Sequence, residues 1–104
     1  MSKDLLEKIK QVCRINTSQN IFTISIEELA ELMQVICKLK RLTSQDKTLR
    51  KEPKQIFEDL KEELSDVYLL LEQIKILTSI NDYEIERRIS EKISRTFEKV
   101  GVSN

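Results

Sequence analysis

Apolar side chains recur every three or four positions along most of this chain, the spacing that places them on one face of an α-helix. The first such segment carries a single stripe of Leu5, Leu6, Ile9 and Val12. The pattern predicts helices over about 2–15, 25–42, 54–78 and 82–100. Strong helix formers such as Leu, Glu and Lys fill these segments, so we expect an all-α fold, a small bundle of four to five helices.

Capping and turn residues predict where these helices begin and end. Ser25 and Glu28 have the spacing of a capping box, which predicts that the second helix begins at Ser25. Residues 16–20 are expected to form a loop, and residues 21–24 to be extended without forming a regular strand. Residues 43–53 are predicted to be a solvated loop. For the last helix we predict Asn81 and Gly101 as caps and a buried stripe of Ile85, Ile89, Ile93, Phe97 and Val100.

Length and composition limit the chemistry that is available. A chain of 104 residues is expected to form one domain, residues 1–104. It has no histidine, so it lacks the commonest general base and any Ser-His or Cys-His nucleophile. A single glycine, Gly101, cannot build a glycine-rich phosphate loop. Any catalysis must therefore use carboxylates, amines and a bound metal.

Charge and cysteine content bear on partners and compartment. The 18 basic and 18 acidic residues cancel, so there is no overall field to attract a nucleic acid, and none is expected as a partner. Residues 1–8 mix charges too densely for a signal peptide, and no apolar run approaches the ~20 residues of a membrane span. Cys13 and Cys37 are most simply small core residues. We expect a cytoplasmic protein that binds no membrane.

The most informative feature is the presence of two pairs of acidic residues, each inside a helical segment that is otherwise largely apolar. The residues are Glu28 and Glu31 in one segment and Glu63 and Asp66 in another. Residues three apart lie on the same face of a helix, so two such helices packed together would form a four-carboxylate cage. Carboxylate oxygens are the ligands that hard divalent cations such as Mg²⁺ prefer. The sequence therefore favours a metal site and phosphate chemistry.

Simpler explanations exist for parts of this pattern. Glu28 could serve only as the third residue of the predicted capping box. The remaining carboxylates could be solvent-exposed, or Glu63 could pair with a lysine of a neighbouring helix. Residues 38–54 contain seven basic and two acidic residues, and such a run is either a solvated connection or a contact for an anionic substrate.

The stretches Glu27-Glu28-Leu-Ala-Glu31-Leu and Glu62-Glu63-Leu-Ser-Asp66-Val resemble the MazG-like branch of the all-α nucleoside triphosphate pyrophosphohydrolases. The resemblance extends over about 21–100. It includes Lys38 and Arg41 after the first pair, the apolar run after the second, and a C-terminal helix that carries Lys92 and Arg95. The connection between the pairs is longer than is usual in that family, and Arg95 stands where some relatives have an asparagine.

The resemblance implies a function and a set of site residues. It implies that Glu28, Glu31, Glu63 and Asp66 hold Mg²⁺, or Mn²⁺ as a substitute, and that (d)NTPs are hydrolysed to the monophosphate and pyrophosphate. Glu31 and Glu63 are the candidates for the catalytic base, and Lys38, Arg41, Lys92 and Arg95 are the candidates for binding substrate phosphates. A homodimer or homotetramer, a dimer of dimers, is expected. The alternatives are a non-catalytic helical interaction or regulatory protein and a nucleotide sensor.

Overall fold

The chain folds into four α-helices, as seen in a computed structural model that describes residues 1–101. The helices are α1 (Lys3–Ile15), α2 (Ser18–Thr43), α3 (Pro53–Thr78) and α4 (Asp82–Val100). No strand occurs within residues 1–101, which confirms the all-α prediction. Residues 102–104 of the predicted domain lie outside the described part of the chain.

The start of α2 differs from the prediction. The helix begins at Ser18, because Thr17 is its N-cap and accepts a hydrogen bond from the Asn20 backbone N–H (3.1 Å). Ser25 is buried inside the helix, and its hydroxyl donates to the Ile21 carbonyl (2.7 Å). The predicted capping box at Ser25 is therefore wrong, as are the extended segment at 21–24 and most of the loop at 16–20. The buried stripe of α2 starts at Ile21, before the predicted boundary.

The two caps predicted for the last helix are confirmed, and α1 begins one residue after its predicted start. The Ser2 hydroxyl accepts from the Leu5 N–H (3.2 Å) at the start of α1, and Asn81 Oδ1 accepts from the Glu84 N–H (2.9 Å) at the start of α4. Gly101 ends α4 with φ +75°, a left-handed conformation that glycine adopts without steric cost. The loop between α2 and α3 covers residues 44–52, close to the predicted 43–53.

Helices α2 and α3 form an antiparallel pair, and α1 packs beside α3. The core between these helices consists of Ile9, Cys13, Ile21, Val35, Ile56, Val67 and Leu70. The Cys13 thiol donates to the Gln73 carbonyl (3.9 Å), which fixes the end of α1 against α3. Cys37 is exposed on α2, so the prediction that both cysteines are core residues holds only for Cys13.

Helix α4 stands apart from this core. None of its residues is buried, and Ile89 and Ile93 are 49% and 47% exposed, so the buried stripe predicted for this helix is wrong within one chain. An ion pair between Lys75 of α3 and Asp82 links the two helices where α4 begins. The radius of gyration is 17.4 Å, whereas a compact domain of this length would have about 13 Å. The single chain is therefore an open structure in which the apolar stripe of α4 is not covered.

Candidate functional site

The antiparallel packing of α2 and α3 brings the two acidic pairs face to face. We call Glu28, Glu31, Glu63 and Asp66 the carboxylate cluster. One oxygen atom from each residue can be chosen so that all four lie within 4.8 Å of one another. Glu31 is exposed, whereas the other three side chains are half-buried. Because α2 begins at Ser18, Glu28 lies well inside the helix, and helix capping does not explain it.

Two oxygens of the cluster are buried without a hydrogen-bond partner, Oε2 of Glu28 and Oε2 of Glu63. Burial, followed by the nearby Asp66, Glu31 and Glu63, raises the pKa of Glu28 to about 7. Burial and the charges of Glu31 and Asp66 also raise the pKa of Glu63. Both effects disfavour the ionised form of these carboxylates. The negative charges of the cluster repel one another, and a bound proton or cation would reduce this repulsion.

No basic side chain within residues 1–101 forms an ion pair with the carboxylate cluster. The alternative in which Glu63 pairs with a neighbouring lysine therefore does not hold in the described chain. A buried oxygen left without a partner normally costs free energy, unless water, an ion or a proton satisfies it.

The donor set of the cluster suits a hard divalent cation. All four residues offer carboxylate oxygens, with no sulfur or imidazole donor in the cluster. Mg²⁺ and Mn²⁺ prefer such ligands, and Mg²⁺ in particular is held by a few carboxylates while it keeps waters or binds phosphate. The unpartnered oxygens of Glu28 and Glu63 fit this use, because they are free to act as ligands.

A cleft of about 360 Å³ opens beside the cluster. The residues that line it are Glu31, Gln34, Val35, Lys38, Lys51, Asp59, Glu62 and Glu63. Lys38, a predicted phosphate ligand, thus shares the cleft with Glu31 and Glu63, the two candidate bases. A cleft with both carboxylates and ammonium groups can hold a metal ion and an anionic ligand side by side.

Arg41, the second predicted phosphate ligand, is engaged elsewhere. Its Nε donates to Asp46 (3.1 Å) and its Nη2 to Thr48 (2.9 Å), both in the loop between α2 and α3. Hydrogen bonds from the side chain and backbone of Thr48, and then from Arg41, lower the pKa of Asp46 to about 2. Arg41 is not among the residues that line the cleft, and its contacts stabilise the loop.

Lys92 and Arg95 lie on α4, away from the carboxylate cluster. Together with Thr96 and Lys99 they line a separate surface depression, and neither residue lines the cleft beside the cluster. The structure of one chain therefore brings together Lys38 and the four carboxylates, but not the basic residues of α4.

Five of the eight residues that line the cleft were not predicted as site residues from the sequence: Gln34, Val35, Lys51, Asp59 and Glu62. Lys51 was one of seven basic residues in a segment that offers no spacing rule. The position of Asp59 could have been predicted from the sequence, because Asp59 precedes Glu63 by four residues and so extends the acidic face of α3 by one turn. Its pairing with Lys51 depends on the path of the loop, which the sequence pattern does not define.

No family model, curated protein or solved structure significantly matches this chain. Within residues 1–101, none of the helices combines the length and apolar character needed to cross a membrane.

Proposed function

We propose that this protein is a Mg²⁺-dependent nucleoside triphosphate pyrophosphohydrolase, which converts a (d)NTP to the monophosphate and pyrophosphate, with Mn²⁺ as a possible substitute. The observation that carries the proposal is the pair of buried, unpartnered oxygens of Glu28 and Glu63 within the carboxylate cluster. The resemblance to the MazG-like enzymes supplies the substrate class. Lys38, beside the cluster, supports an anionic substrate.

The residues of the cleft divide into three roles in this proposal. The carboxylate cluster holds Mg²⁺, which when bound neutralises phosphate charge and lowers the pKa of a water molecule. Glu31 and Glu63 line the cleft, so either carboxylate can accept the proton of the water that attacks phosphorus. The Lys38 ammonium donates to phosphate oxygens and stabilises the negative charge of the leaving pyrophosphate.

The basic residues outside the cleft have a different place in the proposal. Arg41 is held by Asp46 and Thr48 and does not line the cleft, so we assign it to the loop in the substrate-free protein. Lys92 and Arg95 would reach a cleft only from another copy of the chain, through the uncovered helix α4.

We expect a homodimer or homotetramer, and the apolar surface of the single chain supports this expectation. Large apolar side chains on α2, α3 and α4 are exposed, including Ile26, Met33, Tyr68, Ile89 and Ile93. So many exposed apolar side chains on a chain of this size favour a partner that covers them. We expect light scattering to give at least twice the chain mass, and Ile93→Lys to shift the protein toward the monomer. Glu98→Lys, on the opposite face of α4, is the control and should leave the mass unchanged. A wild-type monomer that still hydrolyses nucleotide would contradict the proposed assembly.

The direct test of the activity is pyrophosphate release from a panel of NTPs and dNTPs, with Mg²⁺ and with a chelator. Wild type is compared with Glu63→Gln, which removes one metal ligand and candidate base. We expect metal-dependent release that falls by at least about 100-fold in this variant. Glu58→Gln is the control, because Glu58 is exposed on α3 and pairs with Lys61 (3.0 Å) outside the cluster.

The outcome that contradicts the activity is an absence of release from every nucleotide. Nucleotide binding without release would favour the sensor. Neither binding nor release would favour the helical interaction protein, for which the exposed apolar surface is the supporting observation. The same panel ranks the substrates by base and sugar if the activity is present.

A further inference from the structure

The loop between α2 and α3 delivers one lysine to the cleft. Lys51 stands just before the N-cap of α3, Glu52, and its side chain follows the first turns of that helix to Asp59. Lys51 Nζ lies 2.6 Å from Asp59 Oδ2, and Gln55 Nε2 donates to Asp59 Oδ1 (2.9 Å). Both oxygens of Asp59 are therefore used to hold this arrangement.

Charge favours the same arrangement. The hydrogen bonds from Lys51 and then Gln55, together with the charge of Lys51 and Lys38, lower the pKa of Asp59, so its carboxylate is ionised at neutral pH. An ammonium group has three N–H donors, of which Asp59 occupies one in the recorded contacts. The Lys51 side chain is 45% exposed, and its remaining donors are accessible from solvent.

Position separates Lys51 from the other basic residues of the loop. Of the seven basic residues between 38 and 54, only Lys38 and Lys51 line the cleft that also contains Glu31 and Glu63. Lys38 comes from α2 and Lys51 from the segment that leads into α3, so the two ammonium groups approach the cleft from different elements. An exposed ion pair such as Lys51–Asp59 contributes little to the stability of the fold. Its main effect is therefore to place the Lys51 ammonium group in the cleft.

We infer that Lys51 is a phosphate-binding residue of this cleft, and that Asp59 is a positioning residue that holds the Lys51 ammonium group beside the carboxylate cluster before the substrate arrives. The inference rests on the proposed nucleotide hydrolysis. Two lysines on different elements favour a ligand with several phosphates over one with a single phosphate. Lys51 therefore contributes more to binding of triphosphate and pyrophosphate than of the monophosphate.

The test compares Lys51→Met, which keeps most of the apolar stem of the side chain but removes its charge, with wild type. We expect KM for the best NTP of the panel to rise about tenfold or more, since a hydrogen bond to a charged group is lost. Product inhibition by pyrophosphate should weaken to a similar extent, while inhibition by the monophosphate changes less than twofold. Lys51→Arg, which retains the charge, should recover part of the affinity.

Asp59 is tested by Asp59→Asn and by Asp59→Glu. If Asp59 acts by positioning Lys51, Asp59→Asn should raise KM by less than Lys51→Met, and the double variant should resemble Lys51→Met alone. Asp59→Glu, which retains the charge, should stay closer to wild type. The matched controls are Lys61→Met and Glu58→Gln, which remove an exposed Lys–Glu pair of the same helix outside the cleft.

Failure of this inference differs from failure of the proposed function. If wild type hydrolyses nucleotide and Lys51→Met has the same KM as Lys61→Met, the assignment of Lys51 is overturned and the activity stands. If wild type releases no pyrophosphate, calorimetric titration with inorganic tripolyphosphate and Mg²⁺ decides the point. Binding that weakens about tenfold in Lys51→Met supports the phosphate site alone, and equal or absent binding overturns it.

Discussion

Carboxylates occupy two opposite environments in this molecule. In the carboxylate cluster, buried oxygens of Glu28 and Glu63 have no hydrogen-bond partner, and the pKa of Glu28 rises to about 7. In the loop between α2 and α3, Asp46 accepts hydrogen bonds from Thr48 and Arg41, and its pKa falls to about 2. The same functional group thus lacks hydrogen-bond partners in one place and is fully hydrogen-bonded in the other.

The comparison separates charge that the fold itself neutralises from charge that it leaves without an ion-pair partner. Asp46 is paired by Thr48 of its own loop and by Arg41 at the end of α2, so its charge is neutralised within the fold. The charge of the cluster is not, because the described chain supplies no basic side chain within ion-pair distance. We expect a divalent cation that binds the cluster to reduce this repulsion and stabilise the folded protein, and this effect can be measured without any substrate.

The largest expected effect concerns stabilisation by metal. Mg²⁺ or Mn²⁺ at 100-fold its Kd should stabilise the folded protein by about 2.7 kcal/mol, which is roughly 10 °C in melting temperature for a chain of this size. Glu28→Gln removes one oxygen ligand and should abolish most of this shift. Asp46→Asn, in the satisfied environment, should leave it unchanged. Thermal unfolding with and without metal, in a chelator-treated sample, measures both.

Glu27→Gln is the control for Glu28→Gln, since it alters the neighbouring carboxylate on the exposed side of α2. An equal metal shift in Glu28→Gln and Glu27→Gln would show that the cluster is not the binding site. If the metal-dependent shift in melting temperature were lost in Asp46→Asn instead, the metal would bind at the loop, and the contrast between the cluster and Asp46 would be wrong.

The helical pattern predicted the environment of the cluster better than that of the loop. The three-residue spacing of Glu28 and Glu31, and of Glu63 and Asp66, was sufficient to place each pair on one helix face, because helix geometry is local. That the two faces meet was inferred from their apolar surroundings, and the structure brings their oxygens within 4.8 Å. The outcome did not depend on the predicted start of α2, which was wrong.

The positions of Arg41 and Lys51 and the start of α2 depend on contacts that the spacing of apolar residues does not predict. Arg41 turns to Asp46 and Thr48 because the loop folds back on the end of α2, and Lys51 reaches Asp59 because the same loop leads into α3. The start of α2 was misplaced because Thr17 and Ser25 are both acceptable N-caps, and burial of Ile21 decides between them. The apolar stripe of α4 was predicted correctly as a pattern, but its cover is not supplied by the same chain.

A smaller effect is expected in the pH dependence of stability without metal. The raised pKa of Glu28 means that the folded protein retains a proton that the unfolded chain has lost, at pH values between the ordinary glutamate pKa and about 7. The free energy of unfolding should therefore decrease as pH rises through this window. Glu28→Gln should flatten the decrease, with a residual slope from Glu63, whose pKa is also raised.

Asp46 acts with the opposite sign and at lower pH. Because its pKa is about 2, its contribution to stability is present above the ordinary aspartate pKa and is lost as pH falls toward 2. Asp46→Asn should remove that loss and leave the slope near neutral pH intact. Denaturant unfolding of the three proteins in chelator across both windows measures the two slopes, and a stability of Glu28→Gln that falls with pH as steeply as that of wild type would contradict the assignment of the unpaired charge to Glu28.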